Sequence, residues 1–328
     1  MIYSFEKENS ACRDFLSELK NNSLDFEIIR RDKVVIRIFG HVDSSLKERL
    51  ESLSKNSHNL TLKKSSESVT IPDQMNKLFI AGPCSVESES QLSTIAEFLA
   101  RQGIGYLRGG AFKPRTQSSS FQGLGRVGLK IMADVAARNN MKVVTELMDR
   151  SQLDDVERHA DIIQVGSRNM FNYTLLTALG SINKPILLKR GMAATIDEWI
   201  HAADYIRKGG NENVILCERG IRTFEPRTRF TLDILAIPLA QKLSGLKVIA
   251  DPSHAAGNRD LVPHLVKAAL AAGADGVMVE VHHDPEEALS DGAQSMSFTD
   301  YSEMLNELKN TGLFFPINPA NKESIVRE

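Results

Sequence analysis

Three cysteines in 328 residues, one tryptophan and 6% aromatics are what this chain has least of. Cys12, Cys84 and Cys217 are too few and too scattered for a disulfide framework, which excludes the small bridge-stapled secreted domains and fits a reducing, cytoplasmic setting. No eighteen apolar residues run without a charge, so no membrane-spanning helix is expected. The opening MIYSFEKENS carries acidic groups where a secretory leader would carry an apolar core, and none is expected. An excess of either charge is also missing, because 40 Lys+Arg stand against 42 Asp+Glu. Without a basic stripe interleaved with aromatics, nucleic acid is not an expected partner. What remains is ordinary globular material, 42% hydrophobic and 25% charged, long enough for one large domain or one large plus one small.

From residue 78 onward a unit repeats: a short apolar or β-branched run, a turn, then a helical-period segment. The runs are LFIAG (78–82), IGYLRGG (104–110), KVVTE (142–146), DIIQVG (161–166), PILLKRG (185–191), NVILCERG (213–220), LKVIADPSH (246–254) and DGVMVEVH (275–282). Strands alternating with helices imply parallel βαβ units, and eight of them favour a closed (β/α)8 TIM barrel over residues 78–328. A doubly wound open sheet would show much the same alternation. Residues 1–64 read instead as strand, helix, strand, strand, helix, strand, the βαββαβ order of a ferredoxin-like α+β domain. The polar stretch 65–77 reads as a linker.

In a parallel barrel the carboxyl ends of the strands face the active-site mouth. Those ends are strongly polar here. They carry Cys84, Arg108, Glu146, Arg168, Lys189 with Arg190, Glu218 with Arg219 and Arg222, Asp251 with His254, and Glu280. The stretch LRGGAFKPRT adds Lys113 and Arg115 beside Pro114. Eight cations near one face call for an anionic ligand, because Arg matches phosphate and carboxylate oxygens in bidentate fashion and Lys supplies a mobile charge. A single surface Arg usually just pairs with a neighbouring carboxylate. Eight at equivalent strand ends is a different observation.

Cys84, His254, Glu280 and Asp291 form a second constellation. One thiol, one imidazole and two carboxylates suit Mn²⁺, Fe²⁺, Co²⁺ or Zn²⁺ and suit Mg²⁺ or Ca²⁺ poorly. Cys12 and Cys217 read as small buried hydrophobes.

Taken together, GPCSVES, LRGGAFKPRT, SFQGLG, VVTE, DIIQVGSRN, PILLKRG, ILCERGIRTFE, DPSHAAGNRDL and VEVHHDPEEALSDGAQS resemble the 3-deoxy-D-arabino-heptulosonate 7-phosphate (DAHP) synthase family, over about residues 78–310. The subgroup it looks most like is type I-beta with an N-terminal ferredoxin-like regulatory domain. The resemblance implies condensation of phosphoenolpyruvate with erythrose 4-phosphate, the first step of the shikimate pathway. It carries phosphoenolpyruvate contacts to Arg108, Arg168, Lys189 and Arg219, and aldose phosphate contacts to Pro114, Arg115 and Thr116. It places Lys113 between the substrates and Glu146 as the water-positioning carboxylate; the proton for the forming hydroxyl would come from Lys113 or from a metal-bound water. The divalent metal falls to Cys84, His254, Glu280 and Asp291. It also implies a homotetramer and feedback by tyrosine or phenylalanine. The sequence departs from the pattern after KPRT, where Gln117-Ser118-Ser119 replaces Ser-Pro-Tyr.

Three other readings stay open. A 3-deoxy-D-manno-octulosonate 8-phosphate synthase shares the barrel, but its second-substrate loop resembles Lys-Ala-Asn-Arg-Ser rather than KPRT. A Schiff-base aldolase would use Lys189 as nucleophile. A non-catalytic sugar-phosphate sensor would need the cations and no metal ligands.

Overall fold

The computed structural model describes residues 2–5, 10–22, 24, 26–30, 34–38, 44–53, 77–113 and 121–313. Two compact units divide between Ile71 and Pro72. The first holds β1 (Ile2–Phe5), α1 (Ser10–Asn21), β2 (Phe26–Arg30), β3 (Val34–Ile38) and α2 (Ser44–Leu53). β3 pairs antiparallel with both β1 and β2. Its alternate residues Val34, Ile36 and Ile38 are buried with Phe5, with Cys12, Phe15 and Leu19 of α1, and with Leu46 and Leu50 of α2. A period of two on the strand and of three to four on the helices gives each element one apolar face, and those faces meet. The last strand expected from the sequence, NLTLK, and residues 65–76 of the expected linker lie outside the described residues.

The second unit begins its barrel with β4 (Leu78–Gly82), α3 (Glu89–Arg101), β5 (Tyr106–Arg108), α4 (Arg126–Arg138), β6 (Lys142–Glu146), α5 (Leu153–His159), β7 (Ile162–Val165) and α6 (Tyr173–Leu179). It continues through β8 (Ile186–Lys189), α7 (Ile196–Lys208), β9 (Val214–Glu218), α8 (Ala236–Ser244), β10 (Lys247–Ala250), α9 (Pro252–Ala256), α10 (Val262–Ala271), β11 (Gly276–Glu280) and α11 (Phe298–Asn310). The strands β4 to β11 are parallel and close into an eight-stranded barrel, β11 pairing with β4. This is the (β/α)8 architecture, and the open-sheet alternative is set aside. Among the described residues, no helix is long and apolar enough to cross a membrane.

Strand parity organises the core. Leu78, Ile80, Tyr106, Val144, Ile162, Leu187, Ile215, Cys217, Ile249 and Met278 pack with one another inside the barrel. Their neighbours Phe79, Leu107, Val143, Ile163, Leu188, Leu216, Val248 and Val279 point the other way, into the layer shared with the helices. Successive side chains of a strand alternate faces, so every strand contributes to both cores. Cys12 and Cys217 take their places in the apolar packing, as read from the sequence.

Candidate active site at the carboxyl ends of the barrel strands

The same alternation, continued one step past the last apolar layer, delivers Arg108, Glu146, Lys189, Arg219, Asp251 and Glu280 to the inward side of the mouth. Cys84 arrives on the turn after β4. That turn is tied to the segment after β5, since Gly110 N–H donates to Cys84 O at 3.1 Å and Val86 N–H donates to Gly110 O at 3.0 Å. A Cβ on Gly110 would stand 2.6 Å from Lys113 Cδ and 3.0 Å from Cys84 O. A glycine is therefore what lets Lys113 fold back over the turn.

Three of the four expected metal ligands converge. One ligand atom each from Cys84, Glu280 and Asp291 lie within 4.8 Å of one another. His254, on α9, reaches the group from the Glu280 side, with Nε2 3.5 Å from Glu280 Oε1. The Cys84 thiol donates to Asp291 Oδ2 at 3.0 Å, and Asp291 itself sits in left-handed backbone geometry at φ 52°. Two carboxylates packed this closely, Glu280 and Asp291, repel one another unless cations intervene. Arg108 Nη1 donates to Glu280 Oε1 at 2.7 Å, and Lys113 Nζ stands 2.9 Å from Cys84 Sγ. Both cations are buried.

The electrostatics suit a metal centre. Burial, reinforced by the Glu280 charge, pushes the Cys84 thiol up to about 12. Burial also pushes the Asp291 carboxyl up, but the Cys84 hydrogen bond, His254 and the Arg229 and Lys113 charges outweigh it and hold Asp291 at about 2. The His254 imidazole is pushed down by burial, which favours the neutral ring that a metal requires. A thiol, an imidazole and two carboxylates fit a divalent ion of intermediate softness, which would take the proton's place on sulfur.

The other expected residues are placed less uniformly. Lys189 Nζ meets Asp251 Oδ2 at 2.5 Å inside the barrel. Glu146 is half-buried and accepts from Gln164 Nε2 at 3.1 Å. Arg219 is buried with its guanidinium 4.1 Å over the Phe230 ring, and among the described residues no salt bridge reaches it. Arg168 lies on the short turn Ser167–Asn169 and is exposed, and Arg222 is exposed too. Arg190 does not join the mouth. Its guanidinium is held by Glu218 at 2.8 Å and Asp233 at 3.0 Å on the helix side of the barrel wall. Pro114, Arg115 and Thr116, with the Gln117-Ser118-Ser119 departure, lie outside the described residues.

One group at the mouth escaped the sequence reading. Buried Gln294 donates to Glu280 Oε2 at 2.6 Å and accepts from Arg229 Nη1 at 2.5 Å, so it orients the Glu280 carboxylate. A neutral amide in a loop carries neither periodicity nor charge to mark it.

Comparison with known proteins matches the DAHP synthetase I family to residues 56–313. A phospho-2-dehydro-3-deoxyheptonate aldolase of Thermotoga maritima is 53% identical over 230 residues, 70% of this chain and 68% of that protein. A 2-dehydro-3-deoxyphosphooctonate aldolase of Desulfosudis oleivorans is 32% identical over 247 residues, 70% of this chain and 88% of that one. Among solved structures, a Thermotoga maritima DAHP synthase superposes with a TM-score of 0.71 at 41% identity, over 94% of this chain and 96% of that one. A truncated form of the Thermotoga maritima enzyme gives 0.67 at 48% identity, over 72% and 86%.

Proposed function

We infer the reaction from one premise: the chain belongs to the DAHP synthetase I family. The reaction is the condensation of phosphoenolpyruvate with erythrose 4-phosphate and water to give DAHP and phosphate, the entry to the shikimate pathway. The five-carbon-sugar enzymes share the barrel at much lower identity. A Schiff-base route is disfavoured, because the Lys189 amine it needs free is engaged by Asp251. The observation that carries the reading is the meeting of Cys84, Glu280 and Asp291 with Arg108 and Lys113 at the barrel mouth.

We propose that Cys84, His254, Glu280 and Asp291 hold a divalent metal, Mn²⁺, Fe²⁺, Co²⁺ or Zn²⁺. When bound, such an ion supplies a Lewis acid for the aldehyde oxygen of erythrose 4-phosphate. Arg108 holds the phosphoenolpyruvate carboxylate. As C3 of phosphoenolpyruvate attacks the aldehyde carbon, Lys113 gives a proton to the forming hydroxyl, being buried beside the thiol where the oxygen would lie. Glu146 orients the water that adds at C2, after which the C2–O bond to phosphate breaks. Arg168, Lys189 and Arg219 stabilise the negative charge on the phosphate side, and Arg219, a buried cation without a salt bridge among the described residues, is the natural place for it. Pro114, Arg115 and Thr116 meet the aldose phosphate.

We further propose a cytoplasmic homotetramer in which the ferredoxin-like unit binds tyrosine or phenylalanine and restrains the barrel through its preference for one of two states. One assay addresses these readings. Phosphate release from the two substrates should be near background in chelator-stripped protein and return with Mn²⁺, and Cys84→Ser should not recover at the same Mn²⁺ concentration. Full activity after stripping would overturn the metal assignment. Millimolar tyrosine or phenylalanine should slow the reaction; indifference to both would leave residues 1–64 as a stabilising cap.

A further inference from the structure

We propose that Asp251 is the positioning residue that joins the two halves of the mouth, setting the ring of His254 for the metal and the amine of Lys189 for the phosphate side. The proposal rests on the metal and substrate assignments made above.

Asp251 follows the last residue of β10 and its carboxylate is wholly buried. Three donors converge on its two oxygens. Lys189 Nζ donates to Oδ2 at 2.5 Å, His254 Nδ1 stands 2.8 Å from Oδ2 and 3.0 Å from Oδ1, and the His254 backbone N–H donates to Oδ1 at 3.1 Å. An ionised carboxylate only accepts, so Nδ1 must carry the ring proton. The lone pair is thereby left on Nε2, which is the nitrogen that faces Glu280. A metal-ligating histidine is oriented and tuned in this way by a carboxylate behind it. The same carboxylate fixes an ammonium that would otherwise sweep the mouth on a four-carbon stem.

A simpler role is available, because Asp251 is also the N-cap of α9. Asparagine separates the two. It caps a helix about as well as aspartate, but it offers one oxygen instead of two and no charge, while its Nδ2 can only donate. Three donors cannot share it in the same way, so Lys189 or His254 must lose its partner.

The experiment uses the full chain carrying Asp251→Asn. Mn²⁺ affinity is measured by competition with a chelator, and phosphoenolpyruvate affinity is measured in metal-free protein. A positioning role predicts about a tenfold to hundredfold loss in Mn²⁺ affinity, a weaker phosphoenolpyruvate complex, and a melting temperature of the metal-free protein that stays near wild type. Mn²⁺ affinity within threefold of wild type would overturn it. Wild-type protein gives a second reading that needs no variant to fold. Long-range ¹⁵N–¹H NMR of the metal-free protein, with His254 assigned by loss of its signals in His254→Ala, should show the proton on Nδ1; a proton on Nε2 alone would overturn the proposal. Cys84→Ser distinguishes the premise from the inference: if it retains wild-type Mn²⁺ affinity, the metal assignment itself falls.

Discussion

Lys189 and Arg190 are adjacent at the end of β8, as Glu218 and Arg219 are at the end of β9, yet each pair splits between two environments. Lys189 and Arg219 take inward positions, continuing the face of Leu187, Ile215 and Cys217. Arg190 and Glu218 take outward ones, continuing Leu188 and Leu216, and there they find each other along with Asp233 and the Trp199 ring. The outer charges form a closed network. On the inner side Arg219 is buried without a salt bridge among the described residues, and Cys84, Glu280 and Asp291 crowd together. Burying charge costs stability unless it is paired, so a charge kept buried and incompletely paired on one face marks where a ligand supplies the missing partner. On the proposed function, the outer layer serves the structure and the inner one the chemistry.

Removing one cation from each layer should therefore produce opposite signatures. Arg190→Met leaves Glu218 buried with its main counter-charge gone, which costs about 3–5 kcal/mol in breaking a buried pair. Burial already pushes the Glu218 carboxyl up against the restoring effect of Arg190. A carboxyl raised above its unfolded value destabilises the protein when ionised, so the deficit of Arg190→Met should shrink as pH falls from neutrality toward the acid range. Denaturant titration at several pH values reads this. Arg219→Ala should instead raise the Michaelis constant for phosphoenolpyruvate by about tenfold to a hundredfold, the equivalent of about 1.5–3 kcal/mol for a hydrogen bond to a charged group, with no loss of stability. If Arg219→Ala melts early and keeps its kinetics, the two layers are not distinct in the way their pairing indicates.

Much of this was legible beforehand because strand period and chemistry coincide. The eight apolar runs predicted the barrel, Cys84, Arg108 and Glu280 could be named from their places at the run ends, and Lys113 and Asp291 from the segments just beyond them. Arg190 was misplaced because it was counted by position along the chain without asking which face it takes; the alternation in PILLKR held the answer, Leu187 and Lys189 on one side and Leu188 and Arg190 on the other. Gln294 and the hub at Asp251 were not legible. Asp251 and His254 are neighbours along the chain, but the hub is completed by Lys189 from β8 and Gln294 reaches Glu280 from the turn at Gly292–Gln294, and one sequence carries no local signal of such meetings across the barrel.

The smallest predicted effect tests the inner layer most narrowly. Gly166 follows β7 with φ −70° and ψ 158°, extended backbone that alanine adopts without strain. A Cβ there would overlap Glu146 Oε1, and its other near neighbours are atoms of the same carboxyl group. Since that group is the free end of a flexible side chain, it can turn aside at little cost, and the reduced entropy of the unfolded chain should even add about 0.4–1 kcal/mol of stability. If Glu146 orients the attacking water, Gly166→Ala should lower kcat by about tenfold while Tm holds or rises, a smaller loss than a full ångström of misplacement can produce. The double variant with Glu146→Ala decides whether the effect passes through that carboxylate. Once Glu146 is absent, Gly166→Ala should cost nothing more; an additive loss would mean that Glu146 is not what the glycine makes room for, and that the water is directed by another inward-facing group.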